Sequence, residues 1–282
     1  MTRKSILHPS RRVTLVRWLS LLFFVGLTSY IGLRHQIVGG GPQGAAPLDT
    51  FCIFGGIETL WSYATTGKFL AKTNMANLVL LAAGMLLLLV TGAGFCGWIC
   101  PLGAIQEWLG GLGKKLFGKT FTVPPSVDRP LRALRYLFLA LILYMTIADN
   151  KLWFEPYDPF KVLFHFDFET TTSIVVLALF VAFSLPIERF WCRYLCPLSA
   201  VYSLVSPLSI FKLKRQPHAC IGCGVCTLNC PMGIDVQHCG TIPDGRCIKC
   251  LQCMESCPKP DALVLEAGKS RPATSIPPSL SR

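Results

Sequence analysis

Two runs toward the C-terminal end carry the most specific chemistry of the chain: Cys220-x2-Cys223-x2-Cys226-x3-Cys230-Pro231 and Cys247-x2-Cys250-x2-Cys253-x3-Cys257-Pro258. Three thiols at two-residue steps let one tight loop reach three corners of a four-iron, four-sulfur cube, and a fourth thiol followed by proline completes the set. Chemistry of that kind moves electrons. Structural zinc and disulfide frameworks also use closely spaced cysteines. Zinc sites, however, pair two C-x2-C halves, and disulfides need an oxidising compartment that the charge pattern described below argues against.

The runs resemble those of bacterial two-cluster ferredoxins, in which the fourth cysteine of each run ligates the other cluster. That resemblance implies one [4Fe-4S] cluster on Cys220, Cys223, Cys226 and Cys257, and a second on Cys230, Cys247, Cys250 and Cys253. It also implies a strand after each fourth cysteine, over "MGIDV" and "DALVL". Both quartets are then complete, so Cys239, beside His238 between the runs, is read as structural.

Four further cysteines form a repeat. "FCGWICPLGAIQEW" holds Cys96, Cys100 and Pro101, and "WCRYLCPLSAVYSL" holds Cys192, Cys196 and Pro197. Two copies of aromatic-Cys-x-aromatic-aliphatic-Cys-Pro-Leu point to a duplicated two-span unit. Proline favours the first turn of a helix, so Cys100 and Cys196 are expected at helix starts, where the dipole and open amides favour thiolate. The four thiols are therefore candidates for an additional redox or metal centre; packing as small apolar residues is the alternative. After Pro101, the spacing of Leu102, Ile105, Leu109, Leu112 and Leu116 predicts a helix lying in the membrane interface, with Glu107, Lys114 and Lys115 off that face.

The elements that must position these thiols follow from composition. The chain has 282 residues, 52% hydrophobic and 15% charged, with a mean hydropathy of +0.49, a membrane protein's balance. Four segments approach the about 20 apolar residues that a spanning helix needs: Val13 to Leu33, Met75 to Phe95, Leu131 to Ala148, and Thr171 to Ile187. Buried helices of a soluble protein are the alternative. Arg3, Lys4, Arg11 and Arg12 precede the first span, and Lys114, Lys115, Lys119 and Arg129 follow the second. Positive flanks stay inside. The segment from Asp149 to Thr170 carries five acidic residues, Asp149, Glu155, Asp158, Asp167 and Glu169, against Lys151 and Lys161, and is expected outside.

The expected fold is thus a membrane all-α domain of four transmembrane helices plus a small α+β two-cluster ferredoxin domain. Residues 1–12 form a basic cytoplasmic start, 13–211 the four-span domain, 212–265 the ferredoxin domain and 266–282 a disordered tail. Both termini and the clusters face the cytoplasm of a bacterial inner membrane, where reduced thiols persist. The net charge of +12 falls on span flanks and the cytoplasmic module, which argues for lipid contact and against nucleic acid. Charged ligands are scarce within the spans, which argues against solute transport.

On the outer side, "PLDTFCIFGGIETLWSYATTGKFL" predicts a short amphipathic or interfacial helix around Ile57, Leu60 and Trp61, with Cys52 a packed thiol. Oxidising a quinol would also need a proton acceptor within hydrogen-bond reach of the ring hydroxyl. Glu58, Asp158 and His165 are the candidates there, His165 preferred for its near-neutral pKa; ordinary solvated or helix-flanking roles are the alternative.

Four spans, two Cys-x3-Cys-Pro motifs at the ends of spans two and four, and a C-terminal eight-cysteine module together resemble the NapH/MauN family over nearly the whole chain. The membrane core of NosR regulators and other polyferredoxins share these motifs, but there is no room here for a large extracytoplasmic flavin domain and no C-x-x-C-H haem motif. The resemblance implies a quinol dehydrogenase subunit. It would take electrons from the quinone pool and hand them to a partner iron–sulfur protein, as in periplasmic nitrate reductase systems. A redox accessory of metal uptake or regulation is the alternative.

Overall fold

The computed structural model describes residues 11–39, 53–67, 75–118, 121, 123–149, 154–166, 170–242 and 245–267. Cys52, the first ten residues of the basic start, and residues 268–282 of the expected tail lie outside the described residues. The chain divides into two compact units, one of Leu22–Leu86 and Cys100–Ala200, the other of Met1–Leu21, Leu87–Ile99 and Val201–Arg282.

Helices dominate. Among them are α1 (Arg11–Val38), α2 (Ile53–Thr66), α3 (Met75–Thr91), α4 (Gly94–Trp98), α5 (Pro101–Phe117) and α6 (Pro125–Asp149). They are followed by α7 (Pro159–His165), α8 (Thr171–Ser184), α9 (Phe190–Tyr194) and α10 (Pro197–Val205). Val13–Val38 and Ser126–Asp149 are long and apolar enough to cross a membrane, while Met75–Thr91 and Thr171–Ser184 are shorter apolar helices. At 1.5 Å per residue, the 17 residues of α3 extend about 25 Å, a little under the roughly 30 Å of a hydrocarbon core. Leu15 and Phe23 of α1, Val79 and Leu86 of α3, Leu137 and Leu141 of α6, and Ile174 and Leu179 of α8 are all exposed. Apolar surface on this scale is unfavourable in water and favourable in lipid.

The larger unit is built on an aromatic core. Phe54, Leu102, Ile142, Phe154, Phe180 and Trp191 are buried together, with Cys100 and Cys196 packed against them. Edge-to-face contacts run from Phe54 to Phe154 at 6.0 Å, from Phe154 to Phe138 at 5.5 Å, and from Phe138 to Trp191 at 6.4 Å. This geometry adds to the gain from burial.

In two helices the side packed against the protein is rich in small and polar residues. α5 buries Leu102, Gly103, Gln106, Glu107, Gly110 and Gly113, while Leu112 and Leu116, farther along the apolar stripe of the expected interfacial helix, are exposed. The reason is close approach: a Cβ on Gly113 would meet the Leu185 carbonyl, and one on Gly110 the Glu188 side chain. The helix of the "IFGGIETLWSY" segment forms as expected, as α2. It buries Gly55, Gly56, Glu58, Thr59 and Ser62 and exposes Leu60, Trp61 and Tyr63.

The second unit carries the eight-cysteine module. Its strands β1 (Phe211–Arg215) and β2 (Leu263–Ala267) pair antiparallel, Phe211 opposite Ala267 and Arg215 opposite Leu263. β2 realises most of the strand expected at "DALVL" and carries Glu266 and Ala267, the start of the expected tail. "MGIDV" is not a strand. Gly233 takes a left-handed φ of 61°, and the turn lets the Ile234 amide donate to the Cys230 sulfur at 3.4 Å. β1, from the basic lead-in, supplies the partner instead, and Lys212 within it is buried with its Nζ donating to the Pro207 carbonyl.

Candidate metal centres

Each cysteine run folds as a loop ending in one helical turn, α11 (Val225–Leu228) and α12 (Gln252–Glu255), which carry Cys226 and Cys253. The residue before each turn is left-handed, Gly224 at φ 72° and Leu251 at φ 62°. This sharp reversal turns successive thiols toward one side of the loop.

The thiols gather in two sets. Cys220, Cys223, Cys226 and Cys257 line one cavity, walled by Ile221 and Leu263. Cys230, Cys247, Cys250 and Cys253 line another, walled by Leu213, Met232 and Ile234. Each set therefore combines three cysteines of one run with the fourth of the other. Among the described residues no three His, Cys, Asp or Glu side chains crowd one metal-ion position.

The two environments differ. Cys223 is exposed, whereas Cys247 and Cys253 are buried. Burial pushes the Cys250 thiol up to about 12, with Arg17 opposing, and raises Cys253 well above its ordinary value, its neighbouring thiols adding to the effect. Cys226 is raised by burial as well. Binding a metal at Cys226, Cys250 and Cys253 would release their protons.

Cys239 lines neither cavity; its carbonyl accepts from Arg215 Nε at 3.1 Å. His238 Nδ1 lies 2.8 Å from Asp235 in an exposed pair.

The second run is held by the first Cys-x3-Cys-Pro copy, within the same unit. Trp98 Nε1 donates to the Lys249 carbonyl at 2.9 Å, and Gly97 packs so closely that a Cβ there would collide with the Ile248 carbonyl. Arg17, buried, donates from Nε to the Gly97 carbonyl at 2.8 Å, and Ser20 donates to that of Trp98 at 2.9 Å.

The repeat is visible in the backbone. The Ile99 amide donates to Phe95 at 2.9 Å and that of Leu195 to Trp191 at 3.0 Å; Ala104 donates to Cys100 and Ala200 to Cys196, each at 3.2 Å. α5 and α10 both begin at the proline, and Cys100 caps α5 as expected.

In the larger unit, Cys192 lies close enough to Cys100 to act on it electrostatically. Cys96 belongs to the other unit. The lowered thiol pKa expected from the helix start is overturned: burial pushes Cys100 up to about 11 and Cys192 adds to it, outweighing the Gly103 and Leu102 amides and Arg189. Desolvation of a buried charge exceeds a terminal dipole. Cys192 is raised by burial too, against Arg189 and Gln106.

Sequence reading missed the polar frame around these thiols. Gln106 accepts from the Trp191 amide at 2.9 Å and donates to Cys192 Sγ at 3.2 Å. Arg189, fully buried, meets Glu107 at 2.8 Å. Asp128 accepts from Arg193 at 2.8 Å and from the Tyr194 hydroxyl at 2.7 Å, and also pairs with Arg132. The signal was present: charged residues at span ends in a chain with few of them.

The outer-side candidates are placed as follows. Glu58 is buried and accepts from Thr146 Oγ1 at 2.9 Å. Asp158 caps α7 by accepting from the Phe160 amide at 3.0 Å. His165, at the end of α7, stands edge to face with His35 at 6.0 Å.

A family model described as a 4Fe-4S binding domain matches twice, over residues 73–120 and 170–216. Each match contains one Cys-x3-Cys-Pro copy. YccM of Escherichia coli K12, named as an electron transport protein, is 31% identical over 276 residues, covering 92% of this chain and 75% of its own. The ferredoxin-type protein NapH of Haemophilus influenzae is 29% identical over 85% of this chain and 83% of its own. The methylamine utilization ferredoxin-type protein MauN of Methylobacillus flagellatus is 30% identical over 59% of this chain and 57% of its own. No solved structure matches. The doubly matched iron–sulfur model and the likeness to YccM over 92% of the chain make this chain a member of the NapH/MauN-type family of ferredoxin-type iron–sulfur electron transfer proteins.

Proposed function

We propose that the chain is a quinol-linked electron-transfer subunit of the membrane that carries two [4Fe-4S] clusters. The observation that carries this reading is the sorting of eight thiols into two quartets, each built from three cysteines of one run and the fourth of the other. Three thiols at two-residue steps plus a fourth from the other run suit a cube, which puts an iron at each of four corners. Apolar walls exclude water and set the potential. Bound there, each cluster supplies a one-electron redox couple.

Cys220, Cys223, Cys226 and Cys257 would hold the cluster nearer solvent; Cys230, Cys247, Cys250 and Cys253 would hold the one braced by Gly97 and Trp98. Oxidation of one quinol releases two electrons and two protons, and two one-electron centres match that stoichiometry. The solvent-side cluster, beside exposed Cys223, is the natural exit to a partner iron–sulfur protein, as in nitrate reductase systems of the NapH type. Four spans, with α3 and α8 as the short ones, keep the eight thiols on the reducing, cytoplasmic side. Cys100 and Cys192 supply one thiol from each repeat to an additional redox or metal centre, with Cys196 of the same unit as its third candidate.

Anaerobic purification followed by EPR during titration with quinols tests the reading. Two interacting cubane signals that grow as quinol is added are expected. Clusters that stay oxidised with ubiquinol and menaquinol analogues alike would refute it.

A further inference from the structure

The two cysteine runs share a fold, yet they differ at two matching positions. In the first, Cys223 is flanked by Gly222 and Gly224, both at φ 72°; in the second, Cys250 is flanked by Lys249 at φ 51° and Leu251 at φ 62°. A left-handed backbone is unfavourable for a residue with a side chain, whose Cβ crowds the following carbonyl. Strain of this kind persists where the surrounding structure has a use for the side chain. Glycine would have served at both positions, as it does in the first run.

Both strained residues line the same place. Lys249 and Leu251 wall a cavity of about 260 Å³ together with Leu87, Phe95, Trp98 and Phe211. Its lining is apolar and aromatic apart from Thr91 and Lys249. Cys250, the residue between Lys249 and Leu251, belongs to the more buried thiol quartet.

We propose that this cavity binds the headgroup of a membrane quinone, which rests on the quinol-linked reading above and locates its substrate site. A quinone head is a flat, apolar ring with two carbonyl acceptors, and it arrives from lipid. Aromatic walls offer stacking faces, and a lysine ammonium has three donors and no acceptor, the complement of a quinone carbonyl. The volume falls just below the roughly 300–1,000 Å³ typical of whole-ligand pockets, which suits a ring head whose isoprenoid tail stays outside. A lipid acyl chain would need neither a donor nor two strained residues on either side of a cluster ligand. The ring is thereby placed beside the buried cluster, away from Glu58, Asp158 and His165.

The test is photolabelling of the full-length, cluster-loaded chain in detergent with an azidoquinone, followed by peptide mapping. Label is expected within 87–99 or 249–265, displaced by an excess of short-chain ubiquinone or a menaquinone analogue. Label on α2, α6 or α7, or label that quinone does not displace, overturns the proposal. Leu87→Trp, which fills the cavity from α3, should weaken azidoquinone binding at least about tenfold, the scale on which a tight apolar pocket discriminates. Iron content and EPR spectrum should be unchanged; unaltered affinity with intact clusters also overturns it. Should the variant fail to load, the mapping of the unaltered chain decides alone. Clusters reduced by quinol with label elsewhere sink this site and leave the function standing; clusters that no quinol reduces sink the function itself.

Discussion

The two Cys-x3-Cys-Pro copies have the same backbone and opposite surroundings. Gly97 of the first copy stands where Arg193 stands in the second, and Trp98 where Tyr194 stands. The first copy gives up a side chain, and the Ile248 carbonyl of the second cysteine run fills the space. The second copy gains a buried cation and a hydroxyl, and both converge on Asp128. Duplication thus preserves the backbone around the thiols, and the residues at these two positions decide whether the motif cradles the eight-cysteine module or braces helices of the larger unit.

The largest effect should come from breaking the second copy. Asp128 is the shared acceptor of Arg193, Arg132 and Tyr194, and its side chain is 6% exposed. Asp128→Asn leaves buried guanidinium groups without their counter-charge, a loss of about 3–5 kcal/mol for a buried pair. Thermal unfolding in detergent should show a markedly lower midpoint, while the signals of any cluster on the eight-cysteine module change little. A midpoint within a degree of the parent would mean that the second copy is not braced by charge.

That contrast was half legible in the residues. The resemblance of Cys220 to Cys257 to the runs of two-cluster ferredoxins already implied the sorting into quartets. The partner of β2 was not legible, since pairing Phe211 with Ala267 spans the whole module and the same resemblance pointed to "MGIDV" as a strand. The protein-facing side of α5 was not legible, because Gly110 and Gly113 permit a close approach that packing alone reveals, with Leu112 and Leu116 left outside. The thiol at Cys100 was misjudged for a related reason: a helix start is visible in Pro101, but the depth of burial that dominates its pKa is a property of the packing.

Breaking the first copy should have a smaller and more local effect. Gly97→Ala inserts a methyl group where the Ile248 carbonyl lies, and overpacking of this kind costs about 1–3 kcal/mol. Because the collision is with backbone beside Cys247 and Cys250, one of two cluster EPR signals should broaden or lose intensity while the other is retained. Equal loss of both would show that the module unfolds as one body and that Gly97 has no special relation to the second run.

The finest test removes a single hydrogen bond. Trp98→Phe keeps an aromatic ring between Cys96 and Cys100 and deletes the indole donor to the Lys249 carbonyl. A neutral hydrogen bond of this sort contributes about 0.5–1.5 kcal/mol net, so global stability should barely move. The released carbonyl belongs to a residue already in left-handed backbone, which concentrates the consequence in the loop. Amide hydrogen exchange at residues 248–251 should accelerate by roughly 2- to 13-fold if that energy is spent on local opening. Exchange in α9, where Tyr194 occupies the matching position in the other copy, should stay as it was. Acceleration in both places would mean that the two copies are coupled, and that their opposite surroundings do not separate their roles.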